Sequence, residues 1–159
     1  MNEILDLKHE LLRSRAGSGP GAELILGLLT TARKIDAACA EILARYGLSE
    51  GRLAVLLAVS DTPGIAPGQV AEQLGVTRAT VTGLTDALEK SALLERAAVS
   101  GDRRSLSLRT TSAGEALVAE LSPIYRDWLT VIAVDVSADQ ERATSAALAA
   151  IQRRLDETP

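Results

Sequence analysis

From Pro67 onward the apolar positions keep a helical period for two short stretches and then switch to alternation. Val70, Ala71 and Leu74 share one face of a helix that can open at Pro67, whose fixed φ suits a first turn and whose missing N–H is not needed there. Val81, Leu84 and Leu88 recur at threes and fours and predict a second helix, for which Thr77 is a suitable N-cap. Gly75 lies between them, where a tight turn favours a residue without Cβ. Leu94 to Val99 and Ser105 to Thr110 then read as strands, the second with Leu106 and Leu108 on one side and Ser105, Ser107 and Arg109 on the other. The loop between them is expected to be Ser100-Gly101-Asp102-Arg103-Arg104.

Longer helical stripes flank this region. Leu24, Leu28, Thr31, Ile35, Ala38 and Ile42 alternate at fours and threes through a helix that should stop at Tyr46-Gly47. Leu117, Leu121, Ile124, Trp128 and Val131 repeat the pattern after an expected capping box of Ser112 with Glu115, and Pro123 is expected to kink or interrupt that helix. Leu148, Ile151 and Leu155 line a last helix that opens with a second box, Ser137 with Gln140. Ile4, Leu5, Leu7, Leu11 and Leu12 predict an amphipathic helix at the start, followed by a flexible linker over residues 16–21. The division expected is an N-terminal helix and linker (1–21), a dimerisation helix (22–47), a winged helix-turn-helix lobe (48–111) and C-terminal dimerisation helices (112–159). The fold class is mainly α.

Helix, turn, helix and hairpin in that order make a winged helix-turn-helix, and the residues left outside suit DNA. Thr77, Arg78, Ala79, Thr80, Thr82 and Gly83 face outward on the N-terminal half of the second helix, the half offered to base edges in the major groove. They are short or hydrogen-bonding residues around one arginine, although any solvated helix face carries similar ones. The paired guanidiniums of Arg103 and Arg104 suit a narrow minor groove, whose negative potential draws in arginine, with Asp102 holding the side chain extended. The competing reading is a solvated turn with a surface ion pair of roughly 0–1 kcal/mol.

Pro67 through Gly114 resembles the MarR family of bacterial transcription regulators. The resemblance rests on Gln69-Val70-Ala71-Glu72-Gln73-Leu74-Gly75-Val76-Thr77, on Leu88-Glu89-Lys90 at the end of the recognition helix, on Asp102-Arg103-Arg104-Ser105 and on Thr111-Ser112-Ala113-Gly114. It implies a homodimer paired through its N- and C-terminal helices, a minor-groove role for Arg104 supported by Asp102, and a small-molecule effector held between the dimer helices and the DNA-binding lobe. Thr110 departs from the leucine usual at the end of the wing strand, which should weaken packing under the wing.

Composition limits the alternatives. The chain has 159 residues, one cysteine and one histidine, so an intrachain disulfide, a cysteine-rich zinc site and a histidine-based catalytic cluster are not available. No enzyme activity, cofactor or metal is expected. With no apolar run long enough to span a bilayer and no signal peptide, a cytoplasmic protein without a membrane partner is expected. The net charge is −4, yet residues 76–110 carry six Arg or Lys against four Asp or Glu, so the cationic excess sits where a polyanion would dock. The partners expected are double-stranded DNA, a second copy of the chain and an effector. Trp128, Tyr46 and Tyr125 are the only aromatics, too few for a stacking cage. Two other functions remain open. One is a winged-helix adaptor that docks protein through the hairpin. The other is a redox-sensing regulator using Cys39, although Ile35, Ile42 and Leu43 around it at helical spacing suggest burial and an inert thiol.

Overall fold

Each helix begins where a local feature favours it. The computed structural model describes Ser14, residues 20–99 and residues 102–157, apart from the side chains of Pro20 and residues 98–105. The expected helix at the start of the chain lies outside the described residues, as does most of the expected linker. Helix α1 (Pro20–Ala44) starts on Pro20, so the last two residues of that linker are helical instead, a correction that follows from proline's pre-set φ. The chain turns at Gly47, whose φ of +66° suits a glycine, and Ser49 then caps α2 (Glu50–Asp61) by accepting the Arg52 N–H at 3.4 Å. Helix α3 (Pro67–Leu74) and helix α4 (Arg78–Lys90) follow, then strands β1 (Leu94–Val99) and β2 (Asp102–Thr110). Helices α5 (Ser112–Ile132) and α6 (Ala138–Asp156) complete the order.

The chain divides into two compact units, Met1–Thr111 and Ser112–Pro159. In the first, α2 is the hub: it packs on α1, α3, α4 and β2. Its buried side chains, Leu53, Val55, Leu56 and Val59, point to several sides rather than one, so no single stripe stands out along residues 50–61. The core around them holds Leu43, Val70, Val81, Leu88, Leu94 and Leu108, all buried. Gly51 lets α2 approach α4 closely: a Cβ there would sit 3.3 Å from two carbons of the Leu84 side chain.

The hairpin is antiparallel and runs from Leu94↔Thr110 to Ala98↔Leu106, with an irregularity at Ala98/Val99 before Val99↔Asp102. Strand β2 therefore begins at Asp102, three residues earlier than the alternation suggested. Asp102, Arg103 and Arg104 belong to a strand rather than to the loop. Polarity in a sequence does not separate a loop from a two-stranded ribbon, whose residues can meet water even when their backbone is paired. Leu108 is fully buried while Leu106, expected on the same side, is 46% exposed, because it lies nearer the tip, beyond the core. The other edge of β2 is also satisfied. Gly64 N–H donates to the Leu108 carbonyl at 2.8 Å and Leu108 N–H donates to the Ile65 carbonyl at 2.9 Å.

In the second unit α5 is continuous through Pro123, so the expected interruption does not occur. Proline removes one N–H from the ladder, but the turns on either side keep the helix assigned. The helix opens at Ser112 itself, which makes Ser112 the first helical residue and shifts it out of the capping position expected with Glu115. Helix α6 has its box as expected: Ser137 N–H donates to Gln140 Oε1 at 2.9 Å and Gln140 N–H to Ser137 Oγ at 3.3 Å. Trp128 is half-buried and meets Tyr125 edge to face, with centroids 6.1 Å apart. Among the described residues no helix is long and apolar enough to cross a membrane.

Candidate nucleic-acid interface

The turn between α3 and α4 is held by short-range chemistry. Gln69 Oε1 accepts the Ala66 N–H at 3.1 Å at the start of α3, where Pro67 is the first residue. Gly75 ends the helix in the left-handed region, φ 63° and ψ 31°, and its N–H reaches the carbonyls of Ala71 and Glu72. Two residues later Thr77 Oγ1 accepts the Thr80 N–H at 3.1 Å and opens α4. Thr77→Ala is expected to cost about 1 kcal/mol of stability, the usual loss for an N-cap, measured as a lower urea midpoint. An unchanged midpoint would mean that the cap does not hold this helix end.

Beyond that cap the predicted face is exposed as expected: Arg78, Ala79, Thr80, Thr82 and Gly83 all lie on the surface, and Val81 between them is buried. The hydroxyls are partly committed. Thr80 and Thr77 hydroxyls share a hydrogen bond of 2.8 Å, and Thr82 Oγ1 donates to the Arg78 carbonyl at 2.9 Å. With its proton used, Thr82 offers a partner only lone pairs and a methyl group, which matches the exocyclic amine of adenine or cytosine and the methyl of thymine. A Cβ on Gly83 would meet nothing within 4 Å, so the glycine meets no packing demand of the chain. The Arg78 guanidinium lies against α3, with its atoms 3.5–3.6 Å from where a Gly68 Cβ would be.

The hairpin places Arg103 and Arg104 on β2 beside Asp102; their side chains, and so the orienting role expected of Asp102, lie outside the described residues. One feature at the hairpin's base was not singled out in the sequence. Arg96 on β1 bridges to Asp86 and Glu89 on α4, at 2.5 and 3.2 Å. That leaves Arg78, Lys90, Arg103, Arg104 and Arg109 against Glu95 and Asp102 in residues 76–110, so the cationic excess does not depend on Arg96.

No described cluster of three or more His, Cys, Asp or Glu could hold a metal ion. A cavity of about 570 Å³ lies between α1 and the start of α2, lined by Arg33, Asp36, Leu48, Ser49 and Glu50 among others. Burial, and then the neighbouring Asp36 carboxylate, push the Glu50 pKa up. Cys39 is half-buried on α1.

A capped recognition helix behind a glycine turn, followed by a paired hairpin, defines a winged helix-turn-helix protein. Comparison with known proteins narrows the class. A family model described as the MarR family matches residues 46–105. The chain is 29% identical over 122 residues to the HTH-type transcriptional repressor YetL of Bacillus subtilis (strain 168), covering 76% of this chain and 72% of that protein. It superposes on the crystal structure of the MarR family transcription regulator SP03579 with a TM-score of 0.79 at 22% identity, covering 85% of this chain and 89% of the other. Streptococcus pneumoniae FabT, solved in complex with DNA, gives 0.75 at 20% identity, with 85% and 96% covered. Residues 46–105 thus match the MarR family, and the solved structures share the winged helix-turn-helix fold. Its relatives are transcription regulators, not enzymes.

Proposed function

We propose that the protein binds a pseudo-palindromic DNA operator as a homodimer, represses transcription there, and responds to a small-molecule effector in the cytoplasm. The observation that carries the reading is the exposed N-terminal half of α4, capped by Thr77 and built of Arg78, Ala79, Thr80, Thr82 and Gly83, next to a hairpin bearing Arg103 and Arg104. Thr77 to Gly83 would face base edges, Arg103 a phosphate and Arg104 the minor groove, with Asp102 supporting the wing.

Dimerisation is supported by the apolar side chains left bare. Leu24, Ile25 and Leu29 on α1, Leu129 and Val131 on α5 and Leu155 on α6 are between 37% and 68% exposed, and α6 has no buried residue. A second copy pairing through these helices would cover them and set two recognition helices about 34 Å apart, one turn of duplex. The FabT–DNA complex supports the partner, and the likeness to the repressor YetL supports the sign of regulation. The effector rests on the family resemblance, and the α1–α2 cavity is open to one.

Fluorescence anisotropy with a generic duplex across a salt series tests the reading. The logarithm of the affinity is expected to fall linearly with the logarithm of salt concentration, with a slope of about −0.9 for each phosphate contacted. A slope near zero would overturn DNA binding and favour a protein adaptor.

A further inference from the structure

Arg96 joins the two elements that would read DNA. Its Nη2 donates to Thr85 Oγ1 and to Asp86 Oδ1, both at 2.5 Å, and its Nη1 lies 3.2 Å from Glu89 Oε2. The three acceptors occupy little more than one turn of α4. Thr85 is 1% exposed and its own proton serves the Val81 or Thr82 carbonyl, each 2.9 Å away, so its remaining lone pair faces the guanidinium. On the hairpin Arg96 sits opposite the buried Leu108, two pairs from the Leu94↔Thr110 base. A planar fork with five donors can satisfy three acceptors at once, which a lysine ammonium on a flexible stem does poorly. Two carboxylates already neutralise this guanidinium, so it has little charge to offer a phosphate.

We propose that Arg96 is a positioning residue for operator binding: it pins the wing hairpin to the recognition helix so that both reach their grooves in one fixed relation, and it does not itself touch DNA. The proposal rests on the DNA-binding reading above. A two-stranded hairpin has little stability of its own and takes its orientation from what it is fastened to. The buried leucines and the Gly64–Ile65 edge fasten one side, and Arg96 supplies a charge-assisted tie to α4. A hairpin already held in place loses less freedom when it meets the duplex, and that saving appears as affinity.

Two measurements on Arg96→Ala, Arg96→Lys, Asp86→Ala and the double variants Arg96→Ala/Asp86→Ala and Asp86→Ala/Glu89→Ala test this. The first, amide hydrogen exchange without DNA, is expected to show faster exchange in β1 and β2 of Arg96→Ala, with α2 and the first turns of α4 unchanged. The second, anisotropy with a generic duplex across a salt series, should show affinity about tenfold weaker with the salt slope preserved, since a coupling of this kind is worth roughly one factor of ten and no phosphate contact is lost. Arg96→Lys should recover only part of either signal, and adding Asp86→Ala to Arg96→Ala should cost no more than Arg96→Ala alone. If Arg96→Ala fails to fold, the double carboxylate variant carries the test, and unchanged hairpin exchange in it overturns the proposal. A salt slope reduced by about one would also overturn it, by making Arg96 a phosphate contact. Should the wild-type chain not bind DNA at all, the operator reading fails while the exchange data still decide whether Arg96 holds the hairpin.

Discussion

Leu88→Ala is expected to destabilise the N-terminal unit by about 2–5 kcal/mol, the range for deleting most of a buried leucine and leaving a cavity. Leu88 is fully buried on α4, the helix that packs against α2, α3 and β1. Because domains are stable by only about 5–15 kcal/mol, the variant would stand near the edge of folding. Urea denaturation should give a lower midpoint with an unchanged slope. Leu106→Ala is the control: this leucine is 46% exposed, and a surface change is expected to stay within about 0.5 kcal/mol. Equal effects at the two positions would contradict the core described above.

Arg104→Ala is expected to weaken operator binding by about 1–3 kcal/mol, roughly 5- to 150-fold, while leaving folding and self-association intact. An arginine placed in a narrow minor groove gains from the concentrated negative potential there, and alanine restores nothing in its place. Anisotropy with the operator gives the affinity, and sedimentation of the free protein gives the state of association. Unchanged affinity would remove Arg104 from the interface. Arg103→Ala should act differently, lowering affinity for all sequences alike and reducing the salt slope by about one, as befits a phosphate contact.

The parts of this protein legible from its sequence are those held by near neighbours. Pro67, Gly75 and Thr77 each act within four residues, so the turn and the start of α4 follow from the order of residues alone. The same holds for Ser137 with Gln140 and for the outward face from Arg78 to Gly83. Reading failed where the cause was remote or two-sided. Helix α2 escaped notice because it is buried on several sides and shows no stripe. The start of β2 was misplaced because strand pairing at Asp102 depends on Val99 across the turn rather than on the polarity of the residue itself.

Residue identity and spacing thus determined the class of fold and the outward face from Arg78 to Gly83, since caps, turns and helical faces are properties of a few consecutive residues. Tertiary structure alone decided that Gly51 admits Leu84 and that Gly64 and Ile65 line the free edge of β2. It also decided that Arg96 serves Thr85, Asp86 and Glu89 rather than solvent. Those contacts join residues between 7 and 44 positions apart, and nothing in the local pattern of either partner announces the other until packing brings them within reach.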